Sequence, residues 1–182
     1  MKKALVILHP GFEEIEALTP VDLLTRAGIE VIQASTTDNT QVEGRSGITV
    51  EATHALATVA NDDFDAVILP GGPGIFKLRN HSTICALLQR QHAAGRLIGC
   101  ICAAPLLLKD AEMTNALRYT CHPSAEDELP GAIADPVVKD GSIITSRGAG
   151  TATQFALALV THLTDAANTQ AIAKSICWTQ RA

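Results

Sequence analysis

The chain has 182 residues, of which 47% are apolar and only 3% aromatic, and it carries a formal net charge of −5. That length predicts a single domain over residues 1–182 with a substantial core. The acidic balance argues against a phosphate-backbone binder and the shortage of aromatics against a base-stacking surface, so no nucleic-acid partner is expected. Met1-Lys2-Lys3 leads into an apolar run of five residues, Ala4 to Leu8, too short for a signal peptide or a membrane span. Five cysteines, an odd number, fit a reduced cytoplasmic protein with no membrane partner.

In chain order, Ala4–Leu8 reads as a buried strand, and Glu13 to Ala27 as a helix closed by Gly28. Ile29–Ser35 is a second strand. Val42–Arg45 and Ile48–Ala52 flank Ser46-Gly47 as a small hairpin. Ala66–Leu69 is a third core strand that ends at Pro70-Gly71-Gly72-Pro73-Gly74. A helix over Ser82–Ala94 precedes Leu97-Ile98-Gly99-Cys100-Ile101, a strand running into Cys102. Arg118–Thr120 and Ile143–Ser146 read as short strands, Thr151–Leu163 and Asp165–Cys177 as helices. Strands alternating with helices predict a mostly parallel sheet covered on both faces, with ligands at the carboxyl ends of its strands. Four loops would meet there: His9–Phe12, Pro70–Gly74, the turn at Cys102 and Arg147–Gly150.

Cys102 is followed by Ala103-Ala104-Pro105, and proline suits the first turn of a helix. The cysteine then sits at a strand-to-helix turn beside free backbone N–H groups, where a thiolate or an oxyanion is stabilised. A buried structural cysteine is the competing reading. Glu13, Glu14 and Glu16 open the first helix, where the dipole favours acids in any case. Pro20, Leu23 and Ala27 continue the face of Glu16, so that carboxyl lies along an apolar stripe and is expected to hold its proton by desolvation. Such a group can hydrogen-bond a thiolate and exchange protons with a substrate. Glu13 shares that face, and Glu14 is expected to point to solvent.

Pro70–Gly74 lacks the spacing of a phosphate or dinucleotide loop. It reads as a tight turn in which Gly72 brings an N–H to a ligand oxygen, paired with that of Ala103 as an oxyanion hole. His122 reads either as a surface loop residue or as a proton carrier for Cys102. The histidines and cysteines have no zinc-type spacing, so no metal is expected. Cys85 and Cys177 fall in helical patterns and are expected in the core, and Cys100 is expected to face away from Cys102.

Taken in order, Gly11-Phe12-Glu13-Glu14-Ile15-Glu16, Leu69-Pro70-Gly71-Gly72, Ile101-Cys102-Ala103-Ala104-Pro105, His122-Pro123 and Thr145-Ser146-Arg147-Gly148-Ala149-Gly150-Thr151 resemble the DJ-one-like branch of the ThiJ/PfpI superfamily. The resemblance implies a flavodoxin-like α/β three-layer sandwich with a nucleophile elbow, usually a homodimer. It also implies a catalytic trio of Cys102, Glu16 and His122, with Gly71, Gly72 and Ala103 shaping the oxyanion and substrate site. The implied activity is cofactor-free glyoxalase III chemistry on small 2-oxoaldehydes, methylglyoxal to lactate, with deglycase repair of glyoxal adducts also ascribed to the branch. A redox sensor or chaperone with an oxidisable Cys102 is the rival reading. In the protease-like branch a histidine follows the nucleophile; here Ala103 stands there, which weakens a peptidase or amidase reading. The family often carries an arginine near its dimer contact; here Arg45 lies in that hairpin, with the order around Ser46 shifted.

Overall fold

The computed structural model of the chain describes residues 1–179. Its elements run β1 (Lys3–Leu8), α1 (Glu14–Arg26), β2 (Glu30–Ser35), a hairpin of β3 (Gln41–Glu43) and β4 (Thr49–Glu51), β5 (His54–Ala55) and α2 (Leu56–Val59). There follow β6 (Ala66–Leu69), α3 (Ser82–Ala93), β7 (Leu97–Ile101), α4 (Pro105–Asp110), β8 (Val137–Asp140), β9 (Ile143–Ser146), α5 (Ala152–Leu163) and α6 (Ala166–Ser175). Seven strands form one sheet in the order β5-β2-β1-β6-β7-β9-β8. Every pairing is parallel except β8 with β9.

Strand periodicity divides the core. Leu5, Ile7, Val67, Leu69, Ile98 and Cys100 face one side, where they pack under α2, α3 and α4. Ala4, Val6, Leu8, Ile68, Ile101 and Ile144 face the other, under α1, α5 and α6. Because both faces are dry, β1, β6 and β7 are continuous apolar runs. Each fully buried Leu, Ile or Phe contributes about 1.5–3 kcal/mol by leaving water. Gly99 marks a close helix–sheet approach: a Cβ there would stand 3.0 Å from both Phe155 and Leu159 of α5. The result is the flavodoxin-like three-layer α/β arrangement.

Arg118–Thr120 is not a strand. Its amides are taken by side chains instead: Arg118 N–H donates to Asp140 Oδ2 at 2.9 Å and Thr120 N–H to Thr145 Oγ1 at 2.9 Å. The free edge of β9 is paired with β8, so no ladder position is left for it. Cys177 lies beyond α6 and is exposed rather than in the core, whereas Cys85 is partly buried and Cys100 fully buried. Cys100 packs under α3 and α4.

From β1 the chain crosses to β2 on one side, while β6 and β7 lie on the other. The strand order therefore reverses between β1 and β6, and an open α/β sheet leaves its crevice at such a point, outside the carboxyl ends. The loops after β1, β6 and β7 converge there.

Candidate active site

Residue Cys102 directly follows β7 and has φ 65°, a left-handed conformation that costs a non-glycine residue. Two contacts hold it. Cys102 N–H donates to Ser146 O at 2.9 Å, and Cys102 O accepts from His122 N–H at 2.9 Å. The second bond is what brings the loop carrying His122 to the elbow. Pro105 then opens α4 in its first turn.

Glu16 reaches the same point from α1. Glu13 caps that helix, its Oε2 accepting the Glu16 N–H at 2.9 Å. The Glu16 side chain is only 1% exposed, and its Oε2 accepts Gly71 N–H at 2.9 Å. Gly71 has no room for a side chain: a Cβ would lie 2.6 Å from Cys102 Cβ and 2.7 Å from Glu16 Oε2. Gly72, at φ 106°, makes an equally close passage against Gly11 O and Glu13 N. These two glycines let the β6 loop slide between α1 and the elbow.

Burial raises the Glu16 carboxyl from its ordinary 4.5 to about 7, with the Cys102 and Gly71 hydrogen bonds pulling down and Glu13 pushing up. Burial and the charge of Glu16 push the Cys102 thiol up to about 12, although the N–H groups of Gly72 and Ala103 favour its anion. The sequence reading expected a standing thiolate beside a protonated acid. In the structure burial raises both groups, the acid as expected and the thiol against expectation, so the sulfur gives up its proton less readily than the carboxyl.

His122 is exposed, and its Nδ1 accepts Ser124 N–H at 3.2 Å and lies 2.9 Å from Ser124 Oγ. With Nδ1 serving as acceptor, Nε2 is the ring nitrogen left to donate, on a residue that lines the cleft. Cys121, next to it, is fully buried, and burial pushes its thiol up to about 11.

An open cleft of about 290 Å³ brings together Glu13, Glu16, Gly72, Cys102, Ala103 and His122. Gly71 lies at its base, against Cys102 and Glu16. Pro73 and Ala149, in two of the loops expected to meet here, also line the cleft, as do Phe76, Ser124 and Arg45, which the sequence does not single out for it. Arg45 is delivered by the β3–β4 hairpin, which docks on the loop after β1 through Gly11 N–H to Glu43 O and Arg45 N–H to Phe12 O, both 2.8 Å. Its positive charge acts on Glu16, favouring the carboxylate. Glu14 does not point to solvent: it is buried at 7% exposure, its Oε1 accepting Ser46 N–H at 2.8 Å. Among the described residues no group of three or more His, Cys, Asp or Glu side chains is placed to hold a metal ion. No described helix is long and apolar enough to cross a membrane.

The arrangement can deprotonate a thiol, hold an oxyanion and return a proton. The DJ-1/PfpI family model matches residues 2–162. A glutathione-independent glyoxalase, DJR-1.2 of Caenorhabditis elegans, is 38% identical over 181 residues, covering 97% of this chain and 96% of its own. The crystal structure of Drosophila melanogaster DJ-1beta, 39% identical, covers 98% of this chain and 99% of its own with a TM-score of 0.92. Oxidised Toxoplasma gondii DJ-1, 31% identical, covers 99% and 100% with a TM-score of 0.94. On these matches over nearly its whole length, the chain belongs to the DJ-1/PfpI family.

Proposed function

We propose that the protein is a cofactor-independent glyoxalase that converts methylglyoxal or glyoxal to the hydroxy acid through Cys102. The observation that carries this reading is the Glu16 carboxyl, buried and facing the Cys102 thiol at a strained elbow. In the proposed sequence, the Glu16 carboxylate takes the thiol proton as Sγ bonds to the aldehyde carbon. The resulting alkoxide lies against the N–H groups of Gly72 and Ala103 and is protonated to a hemithioacetal. Glu16 moves a proton from the former aldehyde carbon to the former ketone carbon, while the hemithioacetal hydroxyl gives up its proton and the ketone oxygen, hydrogen-bonded by His122 Nε2–H, gains one. The product is a thioester of the hydroxy acid; water hydrolyses it and restores the thiol. No electrons enter or leave.

The family relative named as a glyoxalase supports this reading. Repair of glyoxal adducts uses the same first bond and belongs to the proposal as a secondary reaction. We also propose that two copies pair through the face carrying Ile15 and Ile48, and that the protein, with five free cysteines, works in the reducing cytoplasm.

The test is lactate formation from methylglyoxal by wild type and Cys102→Ser, with free-thiol scavenging controlled. The substitution is expected to lower kcat by about a hundredfold or more. Retention of wild-type turnover overturns the reading.

A further inference from the structure

Part of the cleft lining is apolar and has no task in the chemistry above. A short 3₁₀ turn, Pro73–Lys77, follows Gly72 directly. Ile75 is fully buried within it and anchors the turn in the core. Residues three apart eclipse in such a turn, so Pro73 and Phe76 share a face, and both line the cleft. Phe76 is 49% exposed, one of four large hydrophobic side chains left that open among the described residues. Of the other three, Met1 is the first residue and Ile15 and Ile48 lie on the α1–hairpin face; Phe76 alone lines the cleft. Ala103 and Ala149 add to the apolar lining, while Glu13, Glu16, Arg45, His122 and Ser124 form the polar part.

The lining therefore offers polar groups for a dicarbonyl and apolar side chains for whatever it carries. A three-carbon dicarbonyl fills only a fraction of a cleft of about 290 Å³ whose lining includes Pro73 and Phe76, so there is room for a larger group. We propose that Phe76 is a specificity-determining residue, and that the preferred substrates are 2-oxoaldehydes bearing an apolar or aryl group larger than methyl. The inference rests on the glyoxalase reading and deepens it. Covering an exposed aromatic ring releases water from both surfaces, and a second ring stacks against it in an offset or edge-on arrangement. Because that contact exists equally in the ground state and the transition state, it acts mainly on KM.

The experiment compares kcat and KM for phenylglyoxal and methylglyoxal in wild type, Phe76→Ala, Phe76→Leu and Phe76→Tyr. The kcat/KM ratio of phenylglyoxal to methylglyoxal is expected to fall about tenfold in Phe76→Ala, through KM. Phe76→Leu should recover part of the ratio and Phe76→Tyr most of it. A ratio that stays the same in Phe76→Ala, whether both substrates are lost equally or neither changes, overturns the assignment, since a merely structural ring moves both alike. If wild type turns over neither substrate, the glyoxalase reading falls and takes this one with it, an outcome distinct from an unchanged ratio.

Discussion

At the scale of single residues, Glu16 governs both chemistry and stability. Its carboxyl is raised by burial from 4.5 to about 7, so the folded chain holds a proton that the unfolded chain has released. The stability this brings is complete below about pH 4.5 and is lost as the pH rises through 7, a loss on the order of 3 kcal/mol. His9 works in the opposite sense. It is 1% exposed, its ring nitrogens 3.3 Å from Pro10 O and Pro70 O, and burial lowers its pKa. Acidification below the ordinary histidine range therefore destabilises the fold through His9, and the two slopes overlap. The difference between wild type and Glu16→Gln isolates the carboxyl, because the amide oxygen still accepts Gly71 N–H and no charge remains to bury. Melting curves across pH should show the variant more stable than wild type at pH 8, by about 2–3 kcal/mol, with the gap closing toward pH 4.5. The same variant should lose about a hundredfold or more in kcat, and the wild-type kcat/KM should rise through about pH 7 as the base ionises. A wild-type profile flat from pH 5 to 9 contradicts Glu16 as the proton acceptor.

At the scale of elements, one ion cluster ties together the segments that build the cleft. Arg79 lies just beyond the turn carrying Phe76, Asp110 ends α4, and Glu128 lies beyond the loop carrying His122. The guanidinium donates to Asp110 at 2.7 and 2.8 Å and to Glu128 at 2.8 and 2.9 Å, and Asp110 Oδ2 also accepts Asn80 N–H at 2.9 Å. Asp110 is 4% exposed in its side chain and Arg79 22%, so truncating the cation strands a nearly buried carboxylate. Arg79→Met should cost about 2 kcal/mol of stability, less than a fully buried pair because Glu128 is open to solvent. Urea denaturation checks this; a loss under about 0.5 kcal/mol would mark the cluster as surface decoration. None of it is visible in sequence, since its members stand tens of residues apart with no periodicity. Glu16 and Cys102, by contrast, were legible because each interrupts a pattern, an acid on an apolar stripe and a cysteine closing a buried run. Phe76 escaped because a five-residue 3₁₀ turn shows no period that separates it from loop. β8 escaped because an edge strand reading Val-Val-Lys-Asp has no sustained alternation. Arg118–Thr120 looked like a strand through its local residues, and only the tertiary claim of β8 on the sheet edge decides against it.

For the whole molecule, the sheet and its two helical layers were legible from alternating apolar runs and helical stripes, because burial on both faces writes itself into composition. The outer surface is different: a residue exposed in one chain carries no mark of whether a second chain covers it. Here the signs lie in the packing. Ile15 and Ile48 are each 54% exposed, one on α1 and the other in the hairpin docked against it. Beside them Glu14 is buried with Oε2 lacking a hydrogen-bond partner, a cost that a donor from outside the chain would remove. A twofold axis through this face would present the same patch to itself, each copy covering the isoleucines of the other. Placing a carboxylate there sets like charges against one another and takes away apolar area, so Ile15→Asp and Ile48→Asp should each weaken pairing by about a hundredfold, some 3 kcal/mol. Sedimentation over a concentration series reads this directly, with wild type expected as a dimer at micromolar concentration and both variants as folded monomers by circular dichroism. A wild-type monomer at that concentration, or dimers that persist unchanged in both variants, places the interface elsewhere and leaves the buried Glu14 oxygen as a cost borne by the single chain.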